Sequence, residues 1–189
     1  MKKILPILLI ILAFSGINLA QNKNLNDATN LSIGAGFETN NPSYGIHSLL
    51  YYKDLTVGFT YILPSSSSTN DKVQEIKNGF TSKIGISPLQ IYGTRFVFPI
   101  YLGFAYSYIN EKSKVLEFTG NGKITATHFF IGFLIIPDKQ DFFHRLGVHF
   151  EFGISNWNYD NSILMKNNAS INYNYPKFYS SVGIYYFFI

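Results

Sequence analysis

From Arg95 to Tyr108 the chain reads RFVFPIYLGFAYSY, and its residues sort by parity. Phe96, Phe98, Ile100, Leu102, Phe104, Tyr106 and Tyr108 form one set, and Arg95, Val97, Pro99, Tyr101, Gly103, Ala105 and Ser107 form the other. Successive side chains of an extended strand point to opposite faces, so a period of two puts every large apolar group on one side. A helical period would mix the two sets. The same period recurs along the chain and predicts eight strands, over 29–38, 44–52, 54–63, 79–87, 95–108, 124–136, 145–153 and 178–189. Leu31, Ile33, Ala35 and Phe37 oppose Ser32, Gly34, Gly36 and Glu38. Leu55, Val57, Phe59 and Tyr61 oppose Thr56, Gly58, Thr60 and Ile62. Phe80, Ser82, Ile84 and Ile86 oppose Gly79, Thr81, Lys83, Gly85 and Ser87. Leu146, Val148, Phe150 and Phe152 oppose Arg145, Gly147, His149, Glu151 and Gly153. In 44–52 and 124–136 both faces are partly apolar, and parity leaves their facing open.

Which face points inward decides what the chain is. The smaller set collects Glu38, His47, Lys83, Arg95, Arg145, His149 and Glu151. A dry soluble core does not take that many ionisable groups, whereas the interior of a small membrane barrel is polar. Strands of about nine to eleven residues match a bilayer crossed at a tilt of roughly 45°. Aromatic residues make up 17% of the chain against 14% charged, which is ample apolar surface for a lipid-facing band. Tyr44, Tyr51, Tyr52, Tyr61, Tyr106, Tyr108, Tyr185 and Tyr186 fall near strand ends, where an aromatic girdle meets the headgroups. Closing the sheet removes edges whose backbone groups lipid cannot satisfy.

The links between strands support this layout. Residues 64–78, 109–122 and 156–176 are long, polar links on one rim; the links after the even strands are shorter. That is the pattern of extracellular loops and periplasmic turns. The predicted fold is therefore all-β: one eight-stranded, antiparallel, up-and-down transmembrane barrel spanning 29–189. Residues 1–20, MKKILPILLIILAFSGINLA, pair Lys2 and Lys3 with an apolar run of about 11 residues, too short to span a bilayer. They are expected to be a cleaved signal peptide, followed by a short periplasmic segment over 21–28.

Composition also excludes. There are no cysteines, hence no disulfide, thiolate metal site, cysteine nucleophile or lipoprotein anchor. The net charge of +4 includes the two leader lysines, and without a basic cluster interleaved with stacking aromatics no nucleic-acid partner is expected. No HExxH, acidic calcium loop or glycine-rich phosphate cradle is present, so neither metal nor cofactor is expected.

The last strand, Ser181-Val-Gly-Ile-Tyr-Tyr-Phe-Phe188, has a polar residue, a glycine two later, and hydrophobics three and five after the glycine. Ser181, Gly183, Tyr186 and Phe188 in this spacing resemble the carboxy-terminal assembly signal of bacterial outer-membrane proteins, with Ile189 one residue beyond the usual terminal aromatic. The resemblance implies a bacterial outer-membrane location and a transient partner in the barrel-assembly machinery. The chain as a whole resembles the small eight-stranded outer-membrane barrels, the class of OmpX and the OmpA membrane domain. RFVFPIYLGFAY, with its central proline, is also similar to a stretch of the porin-like barrel families of Bacteroidota.

Function is expected to be non-enzymatic. Eight strands enclose only enough room for side chains, so the inward charges are expected to pair as a plug. Trp157, Tyr159, Met165, Tyr173 and Tyr175, among many asparagines, make the third long loop the candidate contact surface for an external partner or for lipopolysaccharide. Asp71, Glu75, Glu111, Glu117 and Asp160 are expected to be solvated loop charges. The alternatives are a narrow solute channel and a lipid A-modifying hydrolase built on His149, Glu151 and Ser155. The spacing in HFEFGIS departs from that of the lipid A deacylases, which place His and Ser two residues apart. His128 is open to either face, and His144 is expected at the rim. A monomer in outer-membrane lipid is expected.

Overall fold

The computed structural model describes residues 31–40, 43–69, 72–92, 96–115, 118–137, 145–160 and 177–188. Nine strands follow the alternation: β1 Leu31–Asn40, β2 Ser43–Tyr52, β3 Leu55–Ile62, β4 Ser65–Thr69, β5 Lys72–Tyr92, β6 Phe96–Val115, β7 Phe118–Pro137, β8 Leu146–Asp160 and β9 Phe178–Phe187. All neighbours are antiparallel. The last strand, β9, pairs with the first, β1, from Gly34↔Phe187 to Asn40↔Ser181, and β3 pairs with β5 from Leu55↔Ile86 to Ile62↔Gly79. The sheet is thereby closed. β4 pairs with the far half of β5, from Ser65↔Ile76 to Thr69↔Lys72. It continues the line of β3 after the break at Leu63 and Pro64, since proline offers no backbone N–H to the ladder. Counting β3 and β4 as one, the chain is a closed, eight-stranded, all-β antiparallel barrel.

The faces sort as the parity argument requires. Phe37, Phe129, Ile154, Phe178, Ile184 and Phe188 point outward with 55–70% of their surface exposed. Glu38, Lys83, His149 and Glu151 point inward and are at most 5% exposed. β2 and β7, open on sequence, turn His47, Leu49 and Tyr51, and His128, Phe130, Leu134 and Ile136, to the inside. On β6 the outward apolar positions run from Phe96 to Tyr108; the roughly twelve steps between them, at about 3.3 Å each with a tilt near 40°, rise about 30 Å, the thickness of a bilayer's hydrocarbon core.

Two of the expected loops are strand. β5, β6 and β7 are 21, 20 and 20 residues long against 10 for β1 and β2. Residues 64–78 and 109–122 are largely the paired arms of the β4–β5 and β6–β7 hairpins, which stand beyond the rest of the rim. Glu111 is correspondingly not a solvated loop residue; it is buried on the inner face of β6. Glu75 is exposed on β5. Two tyrosines of the expected girdle, Tyr51 and Tyr185, turn inward and are fully buried, while Tyr44, Tyr52, Tyr61 and Tyr106 face outward. At the opposite rim β2 and β3 join through Lys53 and Asp54, and Lys53 takes φ of 54°, a left-handed conformation uncommon outside glycine and asparagine.

Candidate functional site in the barrel lumen

Six of the eight staves send polar side chains into one central network, as does β6 through a tyrosine. Glu38 comes from β1, His47 from β2, Thr60 from β3, Lys83 from β5, Tyr101 from β6, His149 and Glu151 from β8, and Tyr179, Ser181 and Tyr185 from β9. The register explains how long side chains fit. Glu38 lies opposite Gly45 and Gly183, His47 opposite Gly36, Lys83 opposite Gly58 and Ala105, Glu151 opposite Gly132 and His149 opposite Gly183. Each of these ionisable groups thus has a glycine as a cross-strand neighbour. A side chain at Gly132 would meet the Tyr101 ring at 2.6 Å, and one at Gly183 would meet the His149 ring at 2.6 Å. Large beside small is how a narrow barrel fills its interior.

Lys83 is the hub. Its Nζ donates to Glu38 Oε1, in a short contact, to Glu151 Oε2 at 2.6 Å and to Ser181 Oγ at 3.4 Å. The side-chain exposure of Lys83, Glu38 and Glu151 is 4%, 0% and 3%. Each carboxylate has further donors, as a buried charge requires. Ser181 Oγ donates to Glu38 Oε1 at 2.6 Å and Thr60 Oγ1 to Glu38 Oε2 at 2.9 Å. His47 Nδ1 faces both Glu38 Oε2 and Thr60 Oγ1. Tyr101 and Tyr179 donate to Glu151 Oε1 and Oε2, both at 2.8 Å. His149 lies between the Ser181 Oγ, 2.9 Å from its Nε2, and the Tyr185 hydroxyl at its Nδ1. A second chain runs Thr81, Ser107, His128, Ser155 with steps of 2.7, 2.9 and 2.8 Å.

The network is capped on both sides. Toward the rim of the Lys53–Asp54 turn lie Leu49, Val97, Leu134, Ile136 and Phe187. Toward the tall rim lie Ile62, Ile76, Ile109 and Ile124, with Trp157 packed against them. Trp157, expected in the third long loop, therefore stands inside β8 with its ring edge-on to His128 at 5.5 Å. Tyr159 is also in β8, opposite Ile124. Met165, Tyr173 and Tyr175 lie outside the described residues, as do Arg95, His144 and Asp71. Arg145 is half-buried at the short-turn rim, where its guanidinium donates to the Phe188 carbonyl at 3.4 Å. Of the expected assembly-signal residues, Ser181 belongs to the network, Gly183 lies against His149, and Tyr186 and Phe188 face outward with their rings 5.4 Å apart.

Two chemistries meet this geometry. The serine proposed with His149 does not reach it: Ser155 bonds to His128, and His149 bonds to Ser181. In neither pair does a carboxylate accept from the second ring nitrogen, which faces Tyr185 in His149 and Ser107 in His128, so the base–orienter relay of a hydrolytic triad is missing there. Ligand atoms of Glu38, His149 and Glu151 lie within 4.8 Å of one another, a spacing that suits a cation, but the Lys83 ammonium bridges the two carboxylates. Ser32 Oγ, Thr56 Oγ1 and His47 Nε2 are buried with no hydrogen-bond partner among the described residues. Glu38, His47, Lys83, His149 and Glu151, expected on the inward face, all lie on it; Thr60, Tyr101, Tyr179 and Ser181 were missed as their partners, and their only signal is shared inward parity.

No protein-family model and no curated protein sequence matches the chain. Among solved structures it is similar to the crystal structure of Acinetobacter baumannii CarO2, at 14% identity and a TM-score of 0.41 over 84% of this chain and 99% of that one. It is also similar to that of Acinetobacter baumannii CarO, at 14% identity and a TM-score of 0.38 over 89% and 100%. Both similarities are low, and the lumen geometry stands independently of them.

Proposed function

We propose that the chain is an integral protein of a bacterial outer membrane, a non-enzymatic barrel closed to solutes that holds the β4–β5 and β6–β7 hairpins on the cell surface. The observation that carries this reading is the inversion of its faces: large apolar residues exposed around the whole wall and a paired ionic network inside. In water the first would aggregate; in lipid it is the required surface. With the short turns periplasmic, the tall rim is outside, and the surface hairpins meet the environment or support the envelope. The apolar caps on both sides of Lys83 argue against a continuous water path, so the narrow channel ranks second and the lipid A hydrolase third. Single-channel recording on the purified protein in planar bilayers tests the choice. A closed barrel gives no regular steps at any applied voltage; uniform, reproducible steps would establish the channel instead.

A further inference from the structure

The outer face of β5–β7 changes polarity in order. Along β6 the outward positions run Leu102, Phe104, Tyr106, Tyr108, Asn110, Lys112, and along β7 they run Ile131, Phe129, Thr127, Thr125, Lys123, Asn121. Phe80 stacks on Tyr108 at 5.7 Å, the Tyr108 hydroxyl donates to Asn110 Oδ1 at 3.0 Å, and Asn110 Nδ2 donates to Asn78 Oδ1 at 2.7 Å. Immediately above this aromatic rung the register sets Lys123 opposite Asn110, and Lys112 opposite both Glu75 and Asn121. Lys77 Nζ donates to Asn121 Oδ1 at 3.3 Å, and Lys77, Lys112 and Lys123 are all exposed. Two acids hold neighbouring register positions: Glu75, exposed and the register partner of Lys112 on β6, and Asp160, the register partner of Lys123 on β8.

We infer that this patch binds the phosphorylated headgroup of an outer-leaflet glycolipid. The inference rests on the membrane reading above. Strands β1, β2 and β3 end near the lipid surface, whereas the hairpins of β5–β7 continue past it. Their outward face presents three ammonium groups and the amides of Asn78 and Asn121 at headgroup depth. The aromatic rung beneath packs against the acyl boundary. Phosphate is the ligand class because lysine offers a compact, freely rotating point charge, and each lysine near an anionic lipid surface contributes independently.

The test uses the full chain, expressed with its leader and purified from outer membranes, then exchanged into phosphatidylcholine vesicles carrying either a bisphosphorylated lipid A-type glycolipid or its dephosphorylated form. Retained lipid is counted by native mass spectrometry, with Lys77→Gln/Lys112→Gln/Lys123→Gln and, as a control at the other rim, Lys53→Gln. The phosphorylated form should be retained at least about tenfold better by the wild type and by Lys53→Gln, and retention should fall roughly fivefold for each patch lysine removed. Equal retention of the two glycolipids by the wild type, or full retention by the triple variant, overturns the inference. Mobility on unboiled and boiled gels separates the failures. A wild type that shifts on heating but ignores the phosphates loses only this site, whereas one that neither shifts nor takes up lipid loses the membrane barrel as well.

Discussion

Replacing Lys83 by methionine roughly keeps the side chain's length and removes its charge. Gone with the ammonium are its hydrogen bonds to Glu38 Oε1, to Glu151 Oε2 at 2.6 Å and to Ser181 Oγ at 3.4 Å. What remains is a pair of carboxylates with side-chain exposures of 0% and 3% and no ammonium between them. Breaking a buried pair from one side costs about 3–5 kcal/mol. Relief by protonation is no cheaper at pH 7: neutralising one glutamate, ordinarily near pKa 4.3, costs about 4 kcal/mol. The expected loss of unfolding free energy is therefore about 3–5 kcal/mol. Removing the stranded charges as well, with Lys83→Met/Glu38→Gln/Glu151→Gln, should bring stability back to within about 2 kcal/mol of the wild type, since an ion pair contributes less than its one-sided removal costs. Urea titration of vesicle-embedded protein, followed by emission of the single tryptophan, Trp157, reads both. A loss below about 1 kcal/mol for Lys83→Met, or a triple variant no more stable than the single one, would refute the reasoning.

Other predictions concern residues around this hub. Thr56→Val removes a buried hydroxyl that has no partner among the described residues and should be neutral or stabilising, whereas Thr60→Val strips a donor from Glu38 and should cost about 1–3 kcal/mol in the same titration; equal effects would contradict the network. Gly183→Ala puts a methyl 2.6 Å from the His149 ring and should cost about 1–3 kcal/mol. Because refolding from urea involves no assembly machinery, a deficit there reports packing, and normal stability with poor assembly in cells would assign Gly183 to the signal alone. Lys53→Gly relieves a left-handed lysine and should raise stability by up to about 1 kcal/mol; a loss would mean that the Lys53 ammonium over the Tyr52 ring, at 5.3 Å, outweighs the strain.

How much of this was legible in the sequence depends on where each residue faces. In β1, β3, β6 and β8 large apolar residues lie on one side and small or charged residues on the other, so parity alone separated the faces that carry Glu38, Thr60, Tyr101 and Glu151. In β2 and β7 it did not, because Leu49, Phe130, Leu134 and Ile136 fill an apolar plug and leave no polarity contrast between the faces. The hairpin arms beyond the rim fail for the opposite reason. Glu75, Lys77, Lys112 and Asn121 are exposed polar residues, and a strand without an apolar face reads as loop. Trp157 was misplaced because its segment, NWNYD, looks like loop composition, while its ring closes the lumen above His128. The identity of the bonded partners within the network depends on barrel stagger, which sets which inward residues meet across the lumen.

The central claim is that the apolar faces meet lipid and the charges meet each other. Residues 21–189 refolded in detergent, run unboiled and boiled beside the same chain diluted into plain buffer, test it most directly. A closed membrane barrel resists SDS until heated, so the unboiled detergent sample should migrate apart from the boiled one and the buffer sample should precipitate. A chain that folds in plain buffer and shows no heat-dependent shift would contradict the account and turn its apolar faces inward.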